Sequence, residues 1–251
     1  MVVFPLFTKI ILFPAYYLVH HNIFFGLIQK YLIKDFFFRG FKFKLEIDNI
    51  PLSHYSGFLF NTYEYNDRVL VEKYINKKNK CIVIGGGTGF IPVLAYHKSR
   101  QTIIVSEINK KILKNLKNNL INNNCKFKII EDNLNIGPAK KKYDNFYFNE
   151  SFIGTSKYIK TKNVVSIKNI NIMKIKYINN FNTLLIDGEG IEEYFIKNIS
   201  NLKHIKYIIF ELHHNILNKK KIKNLFNILN LNRFKKIDSC FNSYYFKKIK
   251  I

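Results

Sequence analysis

Val83-Ile84-Gly85-Gly86-Gly87-Thr88-Gly89-Phe90 decides how this chain reads. It continues Lys80-Cys81-Ile82, so a short apolar run of strand type feeds directly into glycines. Glycines are needed where the backbone turns tightly and must approach a ligand with no Cβ in the way. Pro92 suits the first turn of a following helix, where its missing N–H costs little. No GxxxxGK[ST] pattern is present, which excludes a phosphate-cradling P-loop. A glycine-rich turn by itself also fits a purely structural bend, so the surroundings carry the decision.

Outward from that turn, strands and helices alternate. Asp67–Ile75 reads as a helix before it, and Ile103-Ile104-Val105 as the next strand after it. Ile112, Leu116 and Leu120 recur at four-residue intervals, one stripe of an amphipathic helix that ends near Asn122-Asn123-Asn124. Phe127–Ile130, Thr183–Ile186 and Tyr207–Phe210 read as further buried strands. Helices follow the last two, marked by Ile191, Phe195 and Ile199, then by Ile222, Leu225, Phe226 and Leu229. Two final strands, near 234–238 and 243–249, lie too close in sequence for anything but an antiparallel hairpin. Such alternation predicts an α/β fold with helices on both faces of the sheet. The expected architecture is Rossmann-like, a mostly parallel seven-stranded sheet with a C-terminal antiparallel hairpin, as in class I methyltransferases and unlike dinucleotide dehydrogenases. Residues 133–180 break the alternation and read as a β-rich insertion between the third and fourth parallel strands. Residues 61–251 form the main domain on this reading. Residues 1–60 are an aromatic-rich segment, expected as helices packed on the core, with a half-buried strand at Phe41–Ile47.

Composition bounds the class. Of 251 residues, 47% are hydrophobic and 16% aromatic, which excludes a disordered chain. Cys81, Cys125 and Cys240 are widely spaced with no CxxC, so neither a disulfide framework nor a zinc site is expected and a reducing cytoplasm fits best. The net charge of +24 would suit a nucleic-acid or membrane partner. The lysines are spread along a chain equally rich in Asn and Ile, the mark of an AT-biased coding sequence, so a nucleic-acid partner is not expected. Ile10–Gln29 has no charged residue, but Pro14 and His20-His21-Asn22 argue against a membrane span. Peripheral membrane contact through residues 1–30 is the second reading of that region.

Glu107 ends the second strand, 22 residues after Gly85, where a carboxylate accepts hydrogen bonds from ribose hydroxyls. Asp132, just past the third strand, is placed to meet an adenine edge, with Glu131 as competitor. Leu185-Ile186-Asp187-Gly188-Glu189-Gly190 projects two carboxylates from the end of the fourth strand, with Gly188 between them to admit a ligand. Glu192 and Glu193 read as an acidic helix start favoured by the macrodipole. In Phe210-Glu211-Leu212-His213-His214, Glu211 and His213 share a face, and a histidine beside carboxylates suits a general base. His214 reads as solvated surface, and nothing in the spacing demands a metal.

Together these residues resemble the FkbM-type methyltransferases, from Tyr63-Glu64 to the C-terminal hairpin. The likeness rests on Ile84–Phe90, Ile104-Val105-Ser106-Glu107, Val164–Ile172, Ile186-Asp187-Gly188-Glu189-Gly190-Ile191-Glu192 and Ile209-Phe210-Glu211-Leu212-His213. It implies S-adenosylmethionine as methyl donor, held by Gly85, Gly86, Gly87, Gly89, Glu107 and Asp132. It also implies oxygen methylation of a saccharide or other small-molecule acceptor, with Asp187 orienting it and His213 or Glu189 taking the proton. The sequence departs from that family at Val83, where an acidic residue usually precedes the first glycine by two positions. An RNA methyltransferase, suggested by charge alone, and a non-catalytic protein of the same fold are the competing readings.

Overall fold

The computed structural model describes residues 23–33, 35–45, 50, 52–137, 141–148, 155–156 and 160–249. In chain order, helix α1 (Ile23–Leu32) precedes a hairpin of β1 (Asp35–Phe38) and β2 (Phe41–Lys44), then α2 (Leu52–Leu59) and α3 (Tyr65–Tyr74). The alternating part follows as β3 (Cys81–Ile84), α4 (Phe90–Ser99), β4 (Ile103–Ser106), α5 (Lys110–Asn122) and β5 (Phe127–Ile130). A small sheet is interposed, made of β6 (Asn133–Asn135), β7 (Tyr143–Phe148), β8 (Thr155–Ser156) and β9 (Asn163–Asn171). The chain closes with β10 (Thr183–Ile186), α6 (Ile191–Lys197), β11 (Tyr207–Glu211), α7 (Lys219–Leu231), β12 (Phe234–Cys240) and β13 (Ser243–Lys248).

The main sheet has seven strands in the order β12-β13-β11-β10-β3-β4-β5. β3, β4, β5, β10 and β11 are mutually parallel, and β13 runs antiparallel to both β11 and β12. This is the Rossmann-like α/β fold with the strand order of class I methyltransferases. The chain leaves β3 in one direction through β4 and β5, then returns to its other side at β10. The topological switch point therefore lies between β3 and β10, where open α/β sheets bind ligands at the carboxyl ends of the strands. β3 shows why the sheet is covered twice. Cys81 and Val83 pack into one core with α3, α4 and α5, while Ile82 and Ile84 pack into the other with α6 and α7.

Among the described residues the N-terminal part has helices α1 and α2, and between them the β1–β2 hairpin, of which only the second strand was expected. Arg39 and Gly40 both take positive φ (55° and 82°), the geometry of a two-residue hairpin turn. Phe36 and Phe38 are buried while Phe37 stays 76% exposed, so the strand alternates in burial but not in residue type. Phe36, Phe38, Phe43, Phe58 and Tyr63 join the core beside Phe90 and Val83. The Phe41–Ile47 expectation holds for β2, and residues 46–49 lie outside the described residues. So do residues 1–22, most of the proposed membrane-contacting segment. Among the described residues, no helix is long and apolar enough to cross a membrane.

Three asparagines on one face of α5 and at its end tie the hairpin to the domain. Asn119 Oδ1 accepts from Lys44 N–H (2.9 Å), and its Nδ2 donates to Thr88 O (2.9 Å). Asn123 pairs likewise with Lys42, and Asn115 Nδ2 donates to Lys44 O. The amides act as a surrogate strand along the free edge of β2, which would otherwise bury unpaired backbone groups. Asn119→Ala strands the Lys44 N–H and the Thr88 carbonyl, and should cost about 1–3 kcal/mol in chemical denaturation. A loss below about 0.5 kcal/mol, the scale of an inert surface change, would contradict this role.

Candidate functional site

The turn after β3 and the turn after β10 are pressed together. Gly85 has φ +86°, and a Cβ there would come within 1.8 Å of Asp187 O, so no other residue fits without moving the backbone. Asp187 N donates to Ile84 O (2.9 Å), locking the two turns in register. Gly87 (φ +51°) faces open space, with only Glu64 Oε1 within 4 Å of the position a Cβ would take. The other two glycines do not face the cleft in the same way. A Cβ on Gly86 would meet Leu116 and Val105 in the core, and Gly89 caps α4 against Leu116 and Asn119.

A cleft of about 780 Å³, counting the part open to solvent, runs across these turns. Its walls include Ile108, Ile112, Asn133, Leu134 and Phe146, the last supplied by the interposed sheet. Glu107, Gly85, Gly87, Glu64, Asp187 and Glu189 line it as well. Glu107 Oε2 accepts from Gly87 N–H (3.0 Å) and Oε1 from Asn109 N–H (2.7 Å), so the same carboxylate that borders the cleft also braces the glycine turn. Burial raises its pKa, and these amides oppose the rise. Asp132 is not among the lining residues; its backbone carbonyl accepts from Ser106 Oγ, and Asn133 takes the lining place. Glu131 is engaged outside with Lys117 (2.7 Å).

Six of the chain's 17 acidic side chains, Glu64, Asp67, Asp187, Glu189, Glu192 and Glu211, interact at this end of the sheet. Glu64 and Glu189 hold left-handed backbone (φ 46° and 44°), a strain that persists only where the surroundings enforce it. Burial, reinforced by the charge of Asp187, pushes Glu64 up to about 8. The same two causes bring Glu211 to about 7, and Glu211 and Asp187 are hydrogen-bonded to each other as a carboxyl pair. Asn242 Nδ2 also donates to Glu211 Oε1.

His213 is the cation among them. Burial alone would lower its pKa, but the hydrogen bond to Glu192 and the charges of Asp187, Glu192 and Glu211 raise it to about 10. Its Nδ1 lies 3.2 Å from Glu192 Oε1, and its Nε2 lies 3.6 Å from Asp187 Oδ1. This corrects the general-base expectation, since an imidazolium at neutral pH has no lone pair to offer. Glu192 stands in the first turn of α6 as expected and does more. It is fully buried and also accepts from the backbone N–H of Gly190 (2.7 Å) and His213 (3.2 Å), so it serves as a structural hub as well as an acidic helix start. Glu193 does behave as expected, paired with Lys197 (2.6 Å). Gly188 lines the cleft between Asp187 and Glu189, and a Cβ there would strike Ile191 Cγ2 at 2.4 Å. Asp187, Glu211 and His213 each offer an atom within 4.8 Å of the others, a spacing that suits a metal ion. His213 fits such an ion poorly, since it would first have to give up a proton held to about pH 10.

Glu64, Asp67, Asn133 and Phe146 are lining residues that spacing alone did not single out. Glu64 and Asp67 precede the glycine turn in sequence, at the N-cap and in the first turn of α3, whose direction only the packing reveals. No family model matches the chain, and no curated protein matches it either. Similar solved structures include M. jannaschii TYW2 in complex with AdoMet (13% identity, 86% of each chain, TM-score 0.46). Another is a ribosomal protein L11 methylase from Lactobacillus delbrueckii subsp. bulgaricus (12% identity, 73% of this chain and 77% of that one, TM-score 0.44). A third is a precorrin-6y C5,15-methyltransferase from Geobacter metallireducens (12% identity, 74% and 87%, TM-score 0.45).

Two measurements test the electrostatics. The His213 ring should titrate well above pH 8 by NMR, and Glu192→Gln should lower that value; a midpoint near the ordinary 6.5 would contradict the imidazolium. Glu64 and Glu211 have folded pKa values above their ordinary 4.5, so their stabilising contribution is full below about pH 4.5 and is lost as pH rises through 7 and 8. His213 acts in the same direction, losing its contribution between its ordinary 6.5 and about 10. The melting temperature of the unliganded protein should therefore fall between pH 5 and pH 9, and a rise would contradict the assignment.

Proposed function

We propose that this protein is an S-adenosylmethionine-dependent methyltransferase acting on a hydroxyl of a saccharide or other small hydroxylated metabolite, in the manner of the FkbM-type enzymes. The observation that carries the reading is a cleft at the topological switch point, lined by apolar side chains, the Glu107 carboxylate and Asp187, whose carboxyl is paired with that of Glu211. Ile108, Ile112, Leu134 and Phe146 would enclose adenine, with Asn133 at its polar edge in place of Asp132. Glu107 would receive the ribose hydroxyls, and Gly85 and Gly87 would let the backbone approach the cofactor. Gly86 and Gly89 would support that turn from the core side.

When bound, S-adenosylmethionine supplies an electrophilic methyl group on a good leaving group. The protein's part is alignment and proton removal. Glu211, at about 7 and sharing a hydrogen bond with Asp187, is the base best matched to neutral pH. Asp187 and Glu189 orient the acceptor, and His213 stays positive, holding the carboxyl pair in place. A mouth lined with carboxylates accepts hydrogen bonds from sugar hydroxyls and repels phosphates, which favours a neutral polyol over RNA.

Titration calorimetry with S-adenosylhomocysteine should show binding, weakened in Glu107→Ala by roughly 1.5–3 kcal/mol, the scale of a charge-assisted hydrogen bond. Unchanged affinity would remove Glu107 from the ribose site. Glu211→Gln should leave that affinity nearly intact and lower methyl transfer to hydroxylated acceptors by about 10²–10⁴-fold, the usual worth of a general base. Full turnover in that variant would remove Glu211 from the mechanism.

A further inference from the structure

We infer that Phe241, at the tip of the β12–β13 hairpin, is the platform on which the acceptor's ring stacks, with Tyr65 as its second wall. The inference rests on the saccharide reading proposed above and narrows it to a cyclic acceptor with an apolar ring face, a pyranose.

Two features set Phe241 apart. Its side chain is 76% exposed, and its backbone is left-handed (φ 49°), a region that bulky residues rarely take. Among the described residues its one ring contact is with Tyr65, edge to face at 6.5 Å and 68°. Packing therefore returns little for the strain, and strained residues of this kind persist where a ligand uses them.

The turn cannot shift to relieve it. Cys240 pairs with Ser243, so Phe241 and Asn242 are the whole turn. Asn242 is the residue type that tolerates left-handed backbone, yet it stands second because its side chain is engaged. Its Nδ2 donates to Glu211 Oε1, its Oδ1 accepts from Asn66 Nδ2, and its carbonyl accepts from Leu212 N–H (2.8 Å).

That clamp also places the ring. Glu211 pairs in register with Ser243, so the turn stands at the carboxyl end of β11, the end of the sheet where Gly85 and Asp187 meet. Phe241 is the chain neighbour of the residue that holds the proposed base, and Tyr65 is the chain neighbour of Asn66 and of the cleft-lining Glu64. The Arg68 guanidinium lies over the Tyr65 ring at 5.1 Å and steadies it. The negative face of an aromatic ring attracts the C–H bonds on one side of a pyranose, which leaves the hydroxyls at its rim to the carboxyl groups. An open-chain polyol offers the hydroxyls without the face.

The test measures methyl transfer from S-adenosylmethionine to the methyl pyranosides of glucose, galactose and mannose, and to sorbitol. Melting temperature and S-adenosylhomocysteine affinity are read on the same proteins. Wild-type protein should prefer a pyranoside to sorbitol in kcat/KM. Phe241→Asn removes the ring and suits the left-handed backbone, so the melting temperature should hold or rise. It should raise the pyranoside KM about tenfold with kcat within about threefold, while sorbitol and S-adenosylhomocysteine change by less than about twofold. Phe241→Tyr should keep the wild-type KM. A melting temperature lowered by more than about 3 °C in Phe241→Asn would make the ring a packing element instead. Equal losses for pyranosides and sorbitol, or none for either, would overturn the platform while the saccharide reading stands. Wild-type protein that binds S-adenosylhomocysteine but methylates none of these acceptors would overturn the saccharide reading and the platform with it.

Discussion

Everything at the functional end of this molecule depends on the contact between Gly85 and Asp187. β3 and β10 are neighbours in register, Ile84 beside Ile186, and their turns leave the sheet side by side. Because a Cβ at Gly85 would stand 1.8 Å from Asp187 O, the glycine turn and the acidic turn form one continuous wall. Glu107 braces the first turn from β4, and Glu192 braces the second by receiving the Gly190 and His213 amides. The switch point is therefore rigid on both sides, as a site that aligns two reactants requires.

The electrostatics of this end run against the rest of the chain. With a net charge of +24, the protein still gathers six carboxyl groups around one imidazolium. Such a cluster is stable only because protons are retained on Glu64 and Glu211 and because His213 is held charged. Stability and function pull in opposite directions here: ionising Glu211 supplies a base near neutral pH and removes a stabilising proton from the folded state.

The sheet was legible in the sequence because its strands are short apolar runs ended by glycine or acid, and its helices carry four-residue stripes. Glu107, Asp187, Glu189, Glu211 and His213 were legible as positions, since strand ends in this fold converge on one edge. What they do there was less so. His213 looked like a base because nothing in its neighbourhood in sequence announces that Glu192 folds back to meet its ring. Phe36-Phe37-Phe38 hid a strand, since a run of one residue type carries no alternation. Asn115, Asn119 and Asn123 looked like background composition, and their spacing gained meaning only when β2 lay against it. Asp67 was hidden for the same reason, as its partners lie across the sheet and not along the chain.

A structure of the protein with S-adenosylhomocysteine bound tests the central claim most directly. The account predicts adenine between Ile108 and Phe146, ribose hydroxyls on Glu107, and the sulfur above the Gly85–Asp187 contact, pointing toward Glu211. Ligand density elsewhere on the molecule, or a cofactor whose sulfur lies away from the carboxyl pair, would contradict it.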